Sequence, residues 1–162
     1  MENLQKIWES AKTEEGCILA TSAGDRVTMR TVSPVYHQDA IVIFTAPEST
    51  KYQQMKENPN GCLALGGAYI EARAEFLGPT MDDKNGALRE VYAAKFQGAF
   101  DEGIEHGCRA SDIVLLQPTL IKGCGFEHGL PPGTIEHQLY VAREPFSHTH
   151  LPPPTTRIIL ID

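Results

Sequence analysis

Residues 30–51 read RTVSPVYHQDAIVIFTAPESTK. The runs RTVSPVY and AIVIFTA are rich in β-branched and aromatic residues, and HQD between them supplies a turn tip, so the stretch predicts a β-hairpin. Its end opens STKYQQMKENPN (49–60), a short helix that stops at Asn58-Pro59, because a residue before proline is pushed out of the helical region. Folding alone asks for neither an arginine at the first position nor a Ser-Thr-Lys cluster at the last. With the tip centred between His37 and Gln38, antiparallel pairing sets Arg30 opposite Thr45, on one face with Cβ atoms about 5 Å apart. A few residues on, Ser49, Thr50 and Lys51 open the helix, where free backbone N–H groups and the positive end of the helix dipole lie. A guanidinium, hydroxyls, an ammonium and a helix N-terminus at one edge are the chemistry of a phosphate monoester site. Read singly, the same residues also fit an N-cap at Ser49 with Arg30 and Lys51 as solvated surface charges.

Working outward, residues 2–14 predict a helix, with Leu4, Ile7, Trp8 and Ala11 on one stripe. Strands are expected at CILATS (17–22), RVTMRTVSPVY (26–36), AIVIFTA (40–46), GCLALGG (61–67), YIEARAEFLG (69–78) and within DIVLLQPTLIKGCGF (112–126). A second helix is expected in the later part of 81–100, where Leu88, Val91, Tyr92, Lys95 and Phe96 share a side. Residues 127–156 hold six of the chain's eleven prolines and predict a long irregular segment laid over the barrel, with RIILI (157–161) as a possible last strand. Short strands, sparse helices and no βαβ alternation make this a mainly β chain, a mostly antiparallel barrel with peripheral helices. Residues 1–126 form the barrel, and 127–162 an irregular Pro-rich segment packed on the same domain.

At 162 residues the chain suits one domain. A formal charge of −7, from 14 basic and 21 acidic residues, argues against nucleic acid and against an anionic membrane surface as partners. The N-terminus MENLQKIWESAKTEE has no apolar signal core and no run is long enough to span a membrane, so the expected location is the cytoplasm. Cys17, Cys62, Cys108 and Cys124 form no C-x-x-C pair, which favours reduced thiols over a disulfide framework. No G-x-G-x-x-G follows a strand and no P-loop motif occurs, so dinucleotide and P-loop folds lose their support.

Arg-x-Val on one strand, Phe-Thr closing the next, and Ser-x-Lys opening a helix that ends in Glu-Asn-Pro resemble the flavin-binding core of the pyridoxamine 5′-phosphate oxidase-like family. The resemblance is carried by residues 26–65, reaches over 66–120 through ARAEFLG and DIVLLQP, and does not extend beyond about residue 126. It implies a six-stranded antiparallel split β-barrel that binds FMN. It also implies that Arg30 and Lys51 hold the FMN phosphate with Ser49, that Thr31 and Val32 line the isoalloxazine through backbone groups, and that Phe44 and Thr45 flank the cofactor; Thr50 is counted among the cofactor-binding residues. A flavin groove between two subunits, and hence a homodimer, is implied as well. The implied activity is flavin-dependent redox chemistry with a small-molecule substrate or electron donor. A flavin-binding protein of general stress type, or a barrel using the deazaflavin F420, are the alternatives. Oxidases of pyridoxamine phosphate carry a glutamine early in the strand matching 67–78 and an Arg-rich C-terminus; here the former falls at or near Gly67, and the tail's basic residues are Arg143 and Arg157.

Other constellations carry less. His148 with His150, and the set His106, Cys108, Cys124 and His128, lack the paired spacing of structural zinc sites, so no metal is expected. A tail histidine over the flavin could serve as a proton donor. Glu71, Arg73 and Glu75 alternate as a solvated strand face with mutual charge pairing, or as a catalytic one. Tyr92 and Phe96 fit a core more simply than a stacking pair. Cys108 beside Arg109 has no base placed for nucleophilic chemistry.

Overall fold

One curled antiparallel sheet organises the computed structural model, which describes residues 2–97, 111–125 and 136–140. Along the chain come α1 (Glu2–Thr13), β1 (Cys17–Ala23), β2 (Arg26–Val32), β3 (Val35–His37), β4 (Ala40–Thr45), α2 (Thr50–Glu57), β5 (Asn60–Leu65), β6 (Ala68–Pro79), α3 (Gly86–Lys95), β7 (Asp112–Gly125) and β8 (Glu136–Tyr140). The strands lie in the order β2-β1-β5-β6-β7-β4-β3, and β8 pairs with the far end of β7. The chain is mainly β and antiparallel, as the sequence predicts, but the described residues form eight strands where six were expected. Both extra strands have a local cause. Ser33-Pro34 splits the run 26–36 into β2 and β3, since proline has no N–H to give a ladder. The other, β8, is a proline-free stretch inside the segment 127–156 expected to be irregular. The rest of 127–162 lies outside the described residues, as do the proposed strand 157–161 and the end of the helix expected in 81–100.

The position of the turn sets a different hairpin register from the one expected, and the split at Pro34 ends the pairing before Arg30. The turn sits at Gln38-Asp39, with φ of 48° and 60°, so Val35 faces Val42 and His37 faces Ala40. Positive φ at both central residues is the signature of the tight hairpin turn that matches strand twist, and the Tyr36 hydroxyl donates to Asp39 Oδ1 at 2.7 Å. Beyond Pro34 the chain has already left β4. Arg30 pairs with Leu19 of β1, and Thr45 pairs with Asp112 of β7, so the expected Arg30–Thr45 pair does not form.

Two apolar layers follow from strand alternation. The inner layer gathers Leu19, Ile41, Ile43, Leu63, Ile70, Val114, Leu116 and Ile121, closed by Ile7, Trp8 and Ala11 of α1 and by Tyr52 and Met55 of α2. The outer layer joins Val35, Val42 and Ile113 to Leu88 of α3, with Phe44 and Tyr92 against them. Strand β4 is therefore covered on both faces, which is why AIVIF is a continuous apolar run and not an alternation. Pro118 is tolerated in β7 because it lies at a register shift, after the ladder to β4 ends at Leu116 and before that to β8 begins at Ile121.

Candidate functional site

Helix α2 stands where the sequence places it, and its ends are made locally. Ser49 is the N-cap, extended at φ −67° and ψ 145°, and its Oγ accepts from the Tyr52 N–H at 3.4 Å. Asn58, held extended by Pro59, ends the helix. The helix packs on β1 and buries Tyr52, Gln54 and Met55. Buried Thr45 sets its hydroxyl 3.0 Å from that of Ser49. Opposite Thr45, Asp112 accepts a hydrogen bond from the Tyr52 hydroxyl at 2.6 Å; burial and that contact push the Tyr52 pKa up to about 12.

Arg30 comes to this helix from β2, an edge strand of the sheet. It shares a face with its fully buried partner Leu19, so its side chain runs on the core side. Its Nη1 donates to the Leu19 carbonyl at 3.1 Å and to Thr21 Oγ1 at 2.7 Å, and its Nη2 donates to Thr28 Oγ1. Those three bonds use three of the five N–H groups a guanidinium owns. Lys51, in the first turn of α2, is partly buried, and its pKa is lowered first by burial and then by the Arg30 charge. Burial lowers the pKa of Arg30 as well. Among the described residues the ion pairs within 4.0 Å are Lys12–Glu9 and Lys84–Asp82, and neither involves this pair of cations. These are two positive groups close enough to disfavour one another's charge, partly desolvated, and with no carboxylate paired to them among the described residues.

The expected site residues fall into two groups. Arg30, Thr45, Ser49 and Lys51 gather about the start of α2, with Thr50 exposed in its first turn. Thr31 is exposed on the opposite face of β2, and Val32 is buried in the core at 8% exposure, so each could reach a ligand beside Arg30 only through its backbone. Phe44 faces the outer layer, its ring centroid 4.2 Å from that of Tyr92, on the side of β4 away from Thr45. Thr21, Thr28 and Gln54 were not expected, yet all three are built into the site. For Gln54 a signal existed: an amide three residues after Lys51, flanked by the core residues Tyr52 and Met55.

The remaining candidates are plain in their surroundings. Arg73 and Glu75 are exposed, and Glu71 accepts from the Tyr69 hydroxyl at 2.8 Å. No ion pair within 4.0 Å joins the three among the described residues. Tyr92 and Phe96 belong to the outer apolar layer. Cys17 and Cys62 are free thiols. His106, Cys108, Arg109, His128, His148 and His150 lie outside the described residues, as does the side chain of Cys124. No helix among the described residues is long and apolar enough to cross a membrane.

No protein-family model matches the sequence, and no curated protein matches it. Solved structures do match in fold. A Listeria innocua protein named for pyridoxamine 5′-phosphate oxidase superposes with a TM-score of 0.57 at 16% identity, over 74% of this chain and 95% of that one. A FAD-binding protein from Mesorhizobium loti gives 0.55 at 12% identity, over 72% and 90%. The heme storage protein HutZ of Vibrio cholerae gives 0.58 at 14% identity, over 70% and 88%. Identities this low speak for the fold alone: the chain has the split β-barrel of the pyridoxamine 5′-phosphate oxidase-like proteins.

Proposed function

We propose that the chain binds FMN, with Arg30 and Lys51 holding its phosphate, and works as a flavin-dependent oxidoreductase on a small organic molecule. The observation that carries the reading is the partly buried Arg30–Lys51 pair, which no carboxylate among the described residues joins within 4.0 Å. A dianionic phosphate would relieve their repulsion and accept from the two guanidinium N–H groups left over, while Ser49 and Thr45 offer hydroxyls nearby. The donor set therefore fits the group. A FAD-binding neighbour of the same fold adds support for a flavin, and the heme-storing one makes the cofactor's identity the first thing to measure.

When bound, the flavin would supply hydride or electron transfer. The chain's own contribution would be to anchor the phosphate and to present the free edge of β2, with the backbone groups of Thr31 and Val32, toward the ring. We also propose a homodimer. On the face of β1 and β2 opposite Arg30, Val27 and Met29 are each 71% exposed and Ile18 39%. Thr31 and Ile18 face one another there, as do Met29 and Ala20, making an apolar stripe that a second copy would cover.

The deciding experiment is the identity of the ligand that travels with the purified protein. A yellow protein that releases FMN, binds FMN far more tightly than riboflavin, and runs as a dimer by light scattering is the expected result. Bleaching by NAD(P)H would separate an oxidoreductase from a passive flavin binder. Release of heme or F420, or equal affinity for riboflavin and FMN, would overturn the FMN-phosphate reading.

A further inference from the structure

Behind Arg30 lies a closed ring of polar groups, buried at Gln54 and Thr21 and half-buried at Thr28. Gln54 is 6% exposed and Thr21 2%, in a core otherwise filled by residues such as Leu19, Leu63 and Met55. An amide and hydroxyls so placed cost stability unless every group is paired. They are. Thr21 Oγ1 donates to Gln54 Oε1 at 2.7 Å, Thr28 Oγ1 donates to the same oxygen at 2.6 Å, and Gln54 Nε2 donates to the Arg26 carbonyl at 3.1 Å. That last bond fixes which way the amide points. With both hydroxyl protons committed to Gln54, the oxygens of Thr21 and Thr28 are left as acceptors, and both accept from Arg30. The Leu19 carbonyl takes the second Nη1 proton. What remains of the guanidinium is Nε–H and one Nη2–H, donors that together can form the two-pronged fork a phosphate accepts.

We propose that Gln54 is a positioning residue of the anion site: by setting the hydroxyl directions of Thr21 and Thr28, it holds Arg30 in the one orientation that leaves this fork free. Lys51, one helical turn earlier on α2, lies within the field of the Arg30 charge, so a single helix would supply one cation and orient the other. The fork's use rests on the phosphate reading above; the locking of Arg30 does not. A purely structural Gln54 would tie α2 to β1 and β2 without governing Arg30.

The test is Gln54→Met, close in volume but with no strong acceptor, beside Thr28→Val, which removes one ring member from a partly exposed strand and guards against a misfolded first variant. Nitrogen-15 NMR of the ligand-free protein reads the guanidinium directly. Arg30 should give separate, slowly averaging Nη signals in the unmodified protein, merging to one in each variant. FMN affinity should fall about tenfold in Gln54→Met while riboflavin affinity stays unchanged, and in an Arg30→Ala background the substitution should cost nothing further. Unchanged Arg30 signals in a folded Gln54→Met protein, or parallel losses for FMN and riboflavin, would overturn the proposal. If the unmodified protein binds no FMN, the phosphate reading fails, and the Arg30 signals alone decide the role of Gln54.

Discussion

Lys51→Met should push stability and phosphate affinity in opposite directions. In the ligand-free protein Lys51 sits partly buried beside Arg30, and both causes of its lowered pKa, burial and the like charge, disfavour its ionised form. Methionine keeps most of the stem's apolar packing and removes the charge. For a partly solvated pair the relief is small, about 0.5–1 kcal/mol, so the melting temperature should rise by about 1–4 °C for a chain of this size. The same substitution deletes one charge-assisted contact to a phosphate, about 1.5–3 kcal/mol, or a loss of about 10- to 150-fold in FMN affinity. The sign with pH is fixed. A lysine whose folded pKa is depressed destabilises the fold below that pKa, and the penalty fades as pH climbs from there toward the ordinary value of 10.5, so the stability gap between variant and parent should narrow on that climb. Calorimetry of the ligand-free proteins at low and high salt, with fluorescence titration by FMN and riboflavin, measures every part. Added salt should stabilise the parent more than the variant, because it screens the pair. A variant that melts lower and binds FMN with unchanged affinity would refute the reasoning and leave Lys51 an ordinary surface charge.

Two further outcomes concern the scaffold. Burial, opposed by Lys95 and aided by Glu14, pushes the Cys17 thiol from 9.0 up to about 11, so stability should hold below pH 9 and fall between 9 and 11 by about 2–3 kcal/mol relative to Cys17→Ala, read by denaturant unfolding at several pH values. Gly66→Ala should destabilise more than Gly24→Ala: both sit at positive φ, costing about 1–2 kcal/mol, but a Cβ on Gly66 would lie 2.5 Å from the Ser10 Cβ, whereas Gly24 has nothing within 4 Å. Equal melting temperatures for the two variants would show that α1 yields to the extra carbon.

Much of this protein was legible one stretch at a time, and the reason is that the signals are local. The start and stop of α2 reside in Ser49 and Asn58-Pro59, the stripe of α1 in Ile7, Trp8 and Ala11, and the strand character of β4 in AIVIF, each acting within a turn or two of chain. Arg30 and Lys51 stood out in the sequence as charges at the two ends of one hairpin-helix unit; that Arg30 spends three N–H groups on β1 and β2 is visible only in the folded chain. Which strands pair was settled only by the tertiary structure. Pro34 bounds β3, and Arg30 pairs with β1 through the short turn after Ala23; Thr45 pairs with Asp112 of β7, a partner far along the chain that no local signal names. Phe44 turns toward α3 because it alternates with buried Thr45 along β4. Gln54, Thr21 and Thr28 lie 33 and 26 residues apart along the chain, and only the packing of α2 onto β1 and β2 makes one oxygen the acceptor for two hydroxyls. A sequence names the groups that a site needs; the direction in which each donor points is decided by what is buried behind it.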